Sequence, residues 1–230
     1  MTGRVKVGAA IAAPALTLLA LGILLWVNRP FQAELGSYRT SLADRTEAQR
    51  HNIRQAVLAL DGVVLEPGET FSFNAVVGPR TPERGYREAP AFLERDLVKS
   101  IGGGICQLSS TVYNAVALAG LTIVERHPHS KIVKSVPPGR DATVWYGMTD
   151  LRFKNSYSHS VRLRSEVQDA SLRVSFWGHR ENQATIQVKT TLVPSTHPNK
   201  LAYETWRQRV HPRQSSRGEI ISLDMYTSYP

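Results

Sequence analysis

No aspartate or glutamate occurs before Glu34, and the run from Val7 to Asn28 carries no charge at all. As a helix it would span roughly 33 Å, about the thickness of a bilayer's hydrocarbon core. Arg4 and Lys6 precede it, Arg29 and Pro30 follow it, and Trp26 sits where an interfacial aromatic belongs. Pro14 would kink such a helix without forbidding it. Residues 1–30 are therefore expected to be a signal-anchor transmembrane segment. A cleaved signal peptide is the alternative, but its apolar core is normally only about 7–15 residues, and Leu25-Trp26-Val27 is a poor cleavage context. A buried soluble helix is the third reading. The expected placement is single-pass in the cell membrane, with the remaining 200 or so residues outside the cytoplasm.

That placement changes the meaning of the charge. The 230 residues carry 28 Lys and Arg against 19 Asp and Glu, a net +9. Without Arg4, Lys6 and Arg29, 25 basic residues face 19 acidic ones, a charge of +6. No dense basic tract with interleaved aromatics and no nucleic-acid motif occurs, so nucleic acid is not an expected partner. An anionic envelope polymer or lipid surface fits an exported basic domain, and so does an ordinary solvated surface. The single cysteine excludes an internal disulfide framework and all-cysteine metal sites.

Residues 31–45 read as a juxtamembrane linker. Ile53, Val57 and Leu60 have helical spacing within 46–60, closed by Asp61-Gly62. Short strands are expected at 63–65 and 70–74, then a Pro/Gly-rich loop at 78–85. A second helix is expected to start at Gly102-Gly103-Gly104 and end at Gly120. Later strand-like runs are 143–146, 151–153, 161–163, 172–177, 185–188 and 220–223. Helices first and strands later indicate an α+β fold: one compact mixed domain over 46–180 with a mainly antiparallel sheet, preceded by the transmembrane helix. Residues 181–230 read as a C-terminal strand and tail extension.

The segment Gly102-Gly103-Gly104-Ile105-Cys106-Gln107 is where chemistry is expected. Glycines let the backbone turn sharply and let another chain approach closely. A helix N-terminus points free N–H groups and a positive dipole end at the sulfur, which favours thiolate. The same N–H groups, around Gly103, Gly104 and Gln107, suit an oxyanion. The plainer reading is a small buried residue on a helix face. A cysteine nucleophile needs a base, and His127, His129 and His159 are all candidates on spacing alone. Asp141, Asp150 and Asn155 are candidates to orient it. Arg126 and Arg140 would clamp a substrate carboxylate or form structural ion pairs. No metal-ligand spacing and no Gly-x-Ser-x-Gly occurs, and no cofactor is implied.

These pieces together resemble the VanW-like family of bacterial envelope proteins. The resemblance is carried by Asn52-Ile53, Pro67-Gly68-Glu69-Thr70-Phe71-Ser72-Phe73-Asn74, Val77-Gly78 and Gly85-Tyr86. It continues through Gly102 to Gln107, Ser109 to Asn114, Glu125-Arg126 and His129-Ser130. Pro138 to Val144, Asp150-Leu151 and Phe153-Lys154-Asn155 close it, so that it covers about residues 36–180. It implies an extracytoplasmic protein, often tethered by one N-terminal helix, that acts on peptidoglycan stem peptides as a cysteine-dependent L,D-transpeptidase. On that carry-over Cys106 is the nucleophile and His129, in Arg-x-x-His-Ser, the preferred base. Asp141 falls in the family's Gly-Arg-Asp-Ala segment and is assigned here as the orienter. The better-known L,D-transpeptidase fold places histidine before its cysteine in Ser-His-Gly-Cys, where this chain has Gly104-Ile105. A cysteine amidase or endopeptidase, and a non-catalytic wall-binding or glycopeptide-resistance accessory protein, are the competing functions.

Overall fold

Thr46 starts the first helix, α1 (Glu47–Leu60), with a reciprocal cap: its side chain accepts the Gln49 N–H and the Gln49 side chain accepts the Thr46 N–H. Ile53, Ala56, Val57 and Leu60 form the buried stripe the spacing predicts. The structure, a computed structural model, describes residues 31–93, 96–179, 185–211, 214–215 and 218–227. The expected transmembrane segment, residues 1–30, lies outside the described residues. Among the described residues no helix is long and apolar enough to cross a membrane.

A mainly antiparallel arrangement is correct. One sheet orders β1 (Ala33–Ser41), β9 (Ser171–Gly178), β8 (Val161–Gln168) and β2 (Val64–Leu65). A second orders β3 (Thr70–Ser72), β7 (Arg152–Lys154) and β6 (Thr122–Glu125). β4 (Glu88–Leu93) and β5 (Asp96–Ile101) form a hairpin. A last sheet pairs β11 (Lys200–His211) with β10 (Thr185–Val193), β12 (Gln214–Ser215) and β13 (Glu219–Thr227). The helix α3 (Ile105–Ala119) runs through the middle, packed against β1, β9, β10 and α1. It is buried on nearly every side, and its Leu108, Val112, Ala115, Val116 and Ala119 join the core around Phe153 and Phe176.

Four local expectations are corrected. The segment read as a linker contains β1, whose polar, half-buried side chains hide its pairing with β9. Strand β3 stops at Ser72, whose side chain caps the short helix α2 (Phe73–Val77). Residues 143–146 form isolated bridges, His127 to Thr143 and Trp145 to Thr149, rather than a strand. The backbone just before them is held by α3: Ser109 donates to the Ala142 carbonyl (2.6 Å), and Ser110 accepts the Ala142 N–H (2.9 Å). Asn114 donates to the Arg140 carbonyl at 2.7 Å. The expected C-terminal tail is a built sheet, with Ala202, Thr205, Asp224 and Tyr226 buried.

Asn52 joins α1 to the glycine turn. Fully buried, it donates to the carbonyls of Arg87 (2.9 Å) and Gly103 (3.0 Å) and accepts the Arg87 N–H (2.8 Å). Asn52→Leu would strip the buried Gly103 carbonyl and the Arg87 N–H of these bonds, at a cost of about 3 kcal/mol. Chemical denaturation should show that loss.

Candidate functional site

Gly104 is the residue before α3, in the left-handed region at φ 102°. Gly103 is buried with no room for a side chain: a Cβ would lie 2.4 Å from the Ala89 carbonyl oxygen. The two glycines turn the chain from β5 into α3 and set Cys106 in its first turn. The N–H of Gly103 is bonded to Ser100, that of Ile105 to Gly102 and that of Gln107 to Gly104. Gly104 and Cys106 are left with N–H groups that have no backbone partner among the described residues. They are the candidate oxyanion donors, and Gly103 and Gln107 are not. The Gln107 side chain is spent internally as well, on Arg45, Thr40 and Ser41.

The thiol lies against the Val144 carbonyl at 3.7 Å, and the His129 imidazole is near enough to act on it electrostatically. His129 is held from behind: its Nδ1 and its backbone N–H both lie 2.6 Å from Oδ2 of Asp141. Asp141 is an anion, so Nδ1 carries the proton donated to it, and Nε2 is left for the sulfur. Of the three candidate histidines, His129 is the one brought to the cysteine. His127 is half exposed and pairs with Glu125 at 3.1 Å. Asp150 and Asn155 serve backbone elsewhere, at Asn74 and Leu151 and at Leu65 and His159 respectively.

Asp141, 1% exposed, is saturated with donors. Besides the His129 bonds, its Oδ1 accepts Arg126 Nη2 at 3.2 Å and the Tyr226 hydroxyl. Arg126 also donates to the Asp141 backbone carbonyl at 2.6 Å, pairs with Asp224 and lies over the Tyr113 ring. Arg126 is thus structural, with 5% of its side chain exposed. Arg140 is engaged by Asn114 and stacked over Tyr38. Of the two arginines expected as a clamp, Arg126 is thus committed to the fold, and Arg140 is held through its Nε.

Arg80 is a cation that spacing did not reveal. One guanidinium nitrogen donates to Asn74 at 2.7 Å; the other, Nη2, is buried with no hydrogen-bond partner among the described residues. The group lies between the rings of Phe73 and Tyr146, and its charge acts on Cys106. Its Cβ fills the space that a side chain on Gly102 would need, 2.8 Å away. Trp145, Tyr146 and Met148 are exposed on the turn that follows Val144. A cavity of about 380 Å³ lined by Phe31, Arg162, Arg164, Arg173 and Trp177 contains none of these residues. Among the described residues no group of three metal-ligating side chains occurs.

The electrostatics match the geometry. Burial pushes the Cys106 thiol up, but the hydrogen bond and charge of His129, the Val144 carbonyl and the charge of Arg80 outweigh it, and the net shift is down. Burial would lower His129, yet its bonds to Asp141 and the thiol raise it to about 9. Burial raises Asp141, and His129, Arg126 and Tyr226 bring it below the usual carboxylate range. A thiol shifted down, beside an imidazole backed by a carboxylate, is the arrangement that a cysteine nucleophile with a positioned base would require.

Residues 48–177 match the family model for VanW like proteins, and the chain belongs to that family. It is 40% identical over 171 residues to a Bacillus subtilis (strain 168) protein named uncharacterized protein YoaR, covering 74% of this chain and 56% of that one. It is 25% identical over 185 residues to the vancomycin B-type resistance protein VanW of Enterococcus faecalis (strain ATCC 700802 / V583), covering 77% of this chain and 66% of that protein. The chain thus spans less than two thirds of either relative. No solved structure matches.

Two outcomes follow from the Cys106–His129 pair. Iodoacetamide alkylation of Cys106 followed against pH should have its midpoint below the free-thiol value of about 8.5, and His129→Asn should return it there or above. Stability obeys the linkage sign of a raised histidine: the contribution is complete below the ordinary value of 6.5 and lost as pH rises through about 9. Urea unfolding of wild type and His129→Asn should therefore converge above pH 9.

Proposed function

We propose that this VanW-family chain is a cysteine-dependent acyltransferase of the bacterial cell wall, an L,D-transpeptidase acting on peptidoglycan stem peptides outside the cytoplasm. Residues 1–30 are its membrane anchor on this reading. The observation that carries it is the line from the Cys106 thiol through His129 to the buried Asp141. The vancomycin-resistance name of the Enterococcus relative supports a substrate in the wall.

In the proposed reaction the Cys106 thiolate attacks the carbonyl carbon of the third stem residue. The negative charge moves to the carbonyl oxygen, which the N–H groups of Gly104 and Cys106 receive. The tetrahedral intermediate collapses, and the bond to the terminal D-alanine nitrogen breaks. His129 gives its Nε2 proton to that leaving amine. A thioester remains on Cys106. The amine of a second stem then attacks it, His129 takes back a proton, and the thiolate leaves as the cross-link forms. Asp141 keeps the imidazole in the required tautomer throughout. Arg80, with one guanidinium nitrogen unspent beneath the half-exposed Tyr146, is the proposed partner of the terminal carboxylate. It replaces Arg126 and Arg140 in that role.

Incubation with a defined stem tetrapeptide, read by mass spectrometry, tests this. Wild type should form a thioester adduct and cross-linked dimers, and Cys106→Ala neither. Shortened monomers alone would make the enzyme a hydrolase, and full activity in Cys106→Ala would exclude cysteine catalysis. Arg80→Gln should raise KM for the tetrapeptide acid tenfold or more and leave KM for its C-terminal amide unchanged.

A further inference from the structure

The C-terminal sheet, 185–227, lies beyond the residues matched by the family model, yet it reaches the centre of the site. Along β13 successive side chains alternate between faces. Ser222, Asp224 and Tyr226 share one face, and both Asp224 and Tyr226 are buried. The Tyr226 hydroxyl bridges two points of one segment: it accepts the Gly139 N–H at 2.8 Å and donates to Oδ1 of Asp141. Thr205, on the neighbouring β11, donates to the Gly139 carbonyl at 3.0 Å. The N–H of Thr227 donates to the carbonyl of Ser130, the residue after His129, at 2.9 Å. β13 therefore grips both halves of the His129–Asp141 pair.

The charges explain why such a grip is needed. Arg126 faces Asp141, and a guanidinium beside a carboxylate tends toward a two-pronged pairing. That pairing would draw both Asp141 oxygens away from the imidazole. Two groups of β13 oppose it. Asp224 occupies Nη1 of Arg126, and Ser222 in turn donates to Asp224 at 2.9 Å. Tyr226 occupies Oδ1 of Asp141. Oδ2 is thereby left to His129. The other groups facing the pair are Cys106 and Tyr113 of α3, and Arg80 beside the thiol.

We propose that Tyr226 and Asp224 are positioning residues of this site, and that the C-terminal sheet is a working part of it rather than an appendage. They touch no reacting atom. They hold Asp141 aimed at His129, and so hold His129 as the partner of the thiol. This rests on the Cys106–His129–Asp141 reading above.

The test uses the full chain and iodoacetamide as the probe, with thermal unfolding measured alongside. Tyr226→Phe and Asp224→Asn should each move the alkylation midpoint of Cys106 upward by about one pH unit, toward the free-thiol value. Leu223→Ser, on the exposed face of the same strand, should leave it at the wild-type value. A purely structural role would lower the melting temperature and leave the midpoint in place, and that result in Tyr226→Phe overturns the proposal. Should Tyr226→Phe fail to fold, Asp224→Asn decides alone, and an unmoved midpoint overturns it equally. A wild-type midpoint near 8.5, or one that His129→Asn does not move, instead refutes the underlying pair, and the proposal falls with it.

Discussion

A carboxylate cannot be buried without partners, and Asp141 is almost fully buried. Much of the architecture answers that requirement. Arg126 supplies charge, Tyr226 a hydroxyl, and His129 both its ring and its backbone N–H. These donors come from three places: the segment after β6, the far end of β13, and the histidine loop between them. Such an arrangement breaks badly when one member is removed, because the charge it leaves behind stays in low dielectric. The segment around Asp141 is fixed from the other side by α3, through Ser109, Ser110 and Asn114. The helix that carries the thiol thus also places the carboxylate, which keeps the two ends of the site in register.

The same helix explains the glycines. Gly103 lets α3 start where the β4–β5 hairpin backbone crosses, and Gly104 takes the left-handed turn. Gly102 leaves room for Arg80. Three consecutive glycines therefore meet three separate demands: a close crossing, a positive φ and a neighbouring arginine. Together they bring a cation, a thiol and two N–H groups to one point. Burial by itself would push the thiol up; His129 and the guanidinium outweigh it, and the net shift is down.

Much of this was legible in the sequence where the signal is local. The 3.6-residue spacing of Ile53, Val57 and Leu60 marks α1, and Gly104 and Gly120 bracket α3. Cys106, His129 and Asp141 stand out because residue type and motif coincide. The misses have a common cause in partners that are distant along the chain. Tyr226 meets Asp141 across 85 residues, and no spacing rule links them. Arg126 and Arg140 look like free cations in sequence, and only the fold reveals Asp224 and Asn114 against them. β1 lacks apolar alternation because most of its side chains are half-buried, so its pairing with β9 leaves no pattern. Arg80 carries no motif, and its importance lies in the bond that it does not make.

The central claim is that His129 stands as an imidazolium between a thiolate and a buried carboxylate. Nitrogen NMR of the His129 ring, titrated in the full-length protein, addresses it directly. The account predicts a proton on Nδ1 across the neutral range and a titration near pH 9. A ring that titrates near the ordinary 6.5, or that carries its neutral-state proton on Nε2, would contradict it.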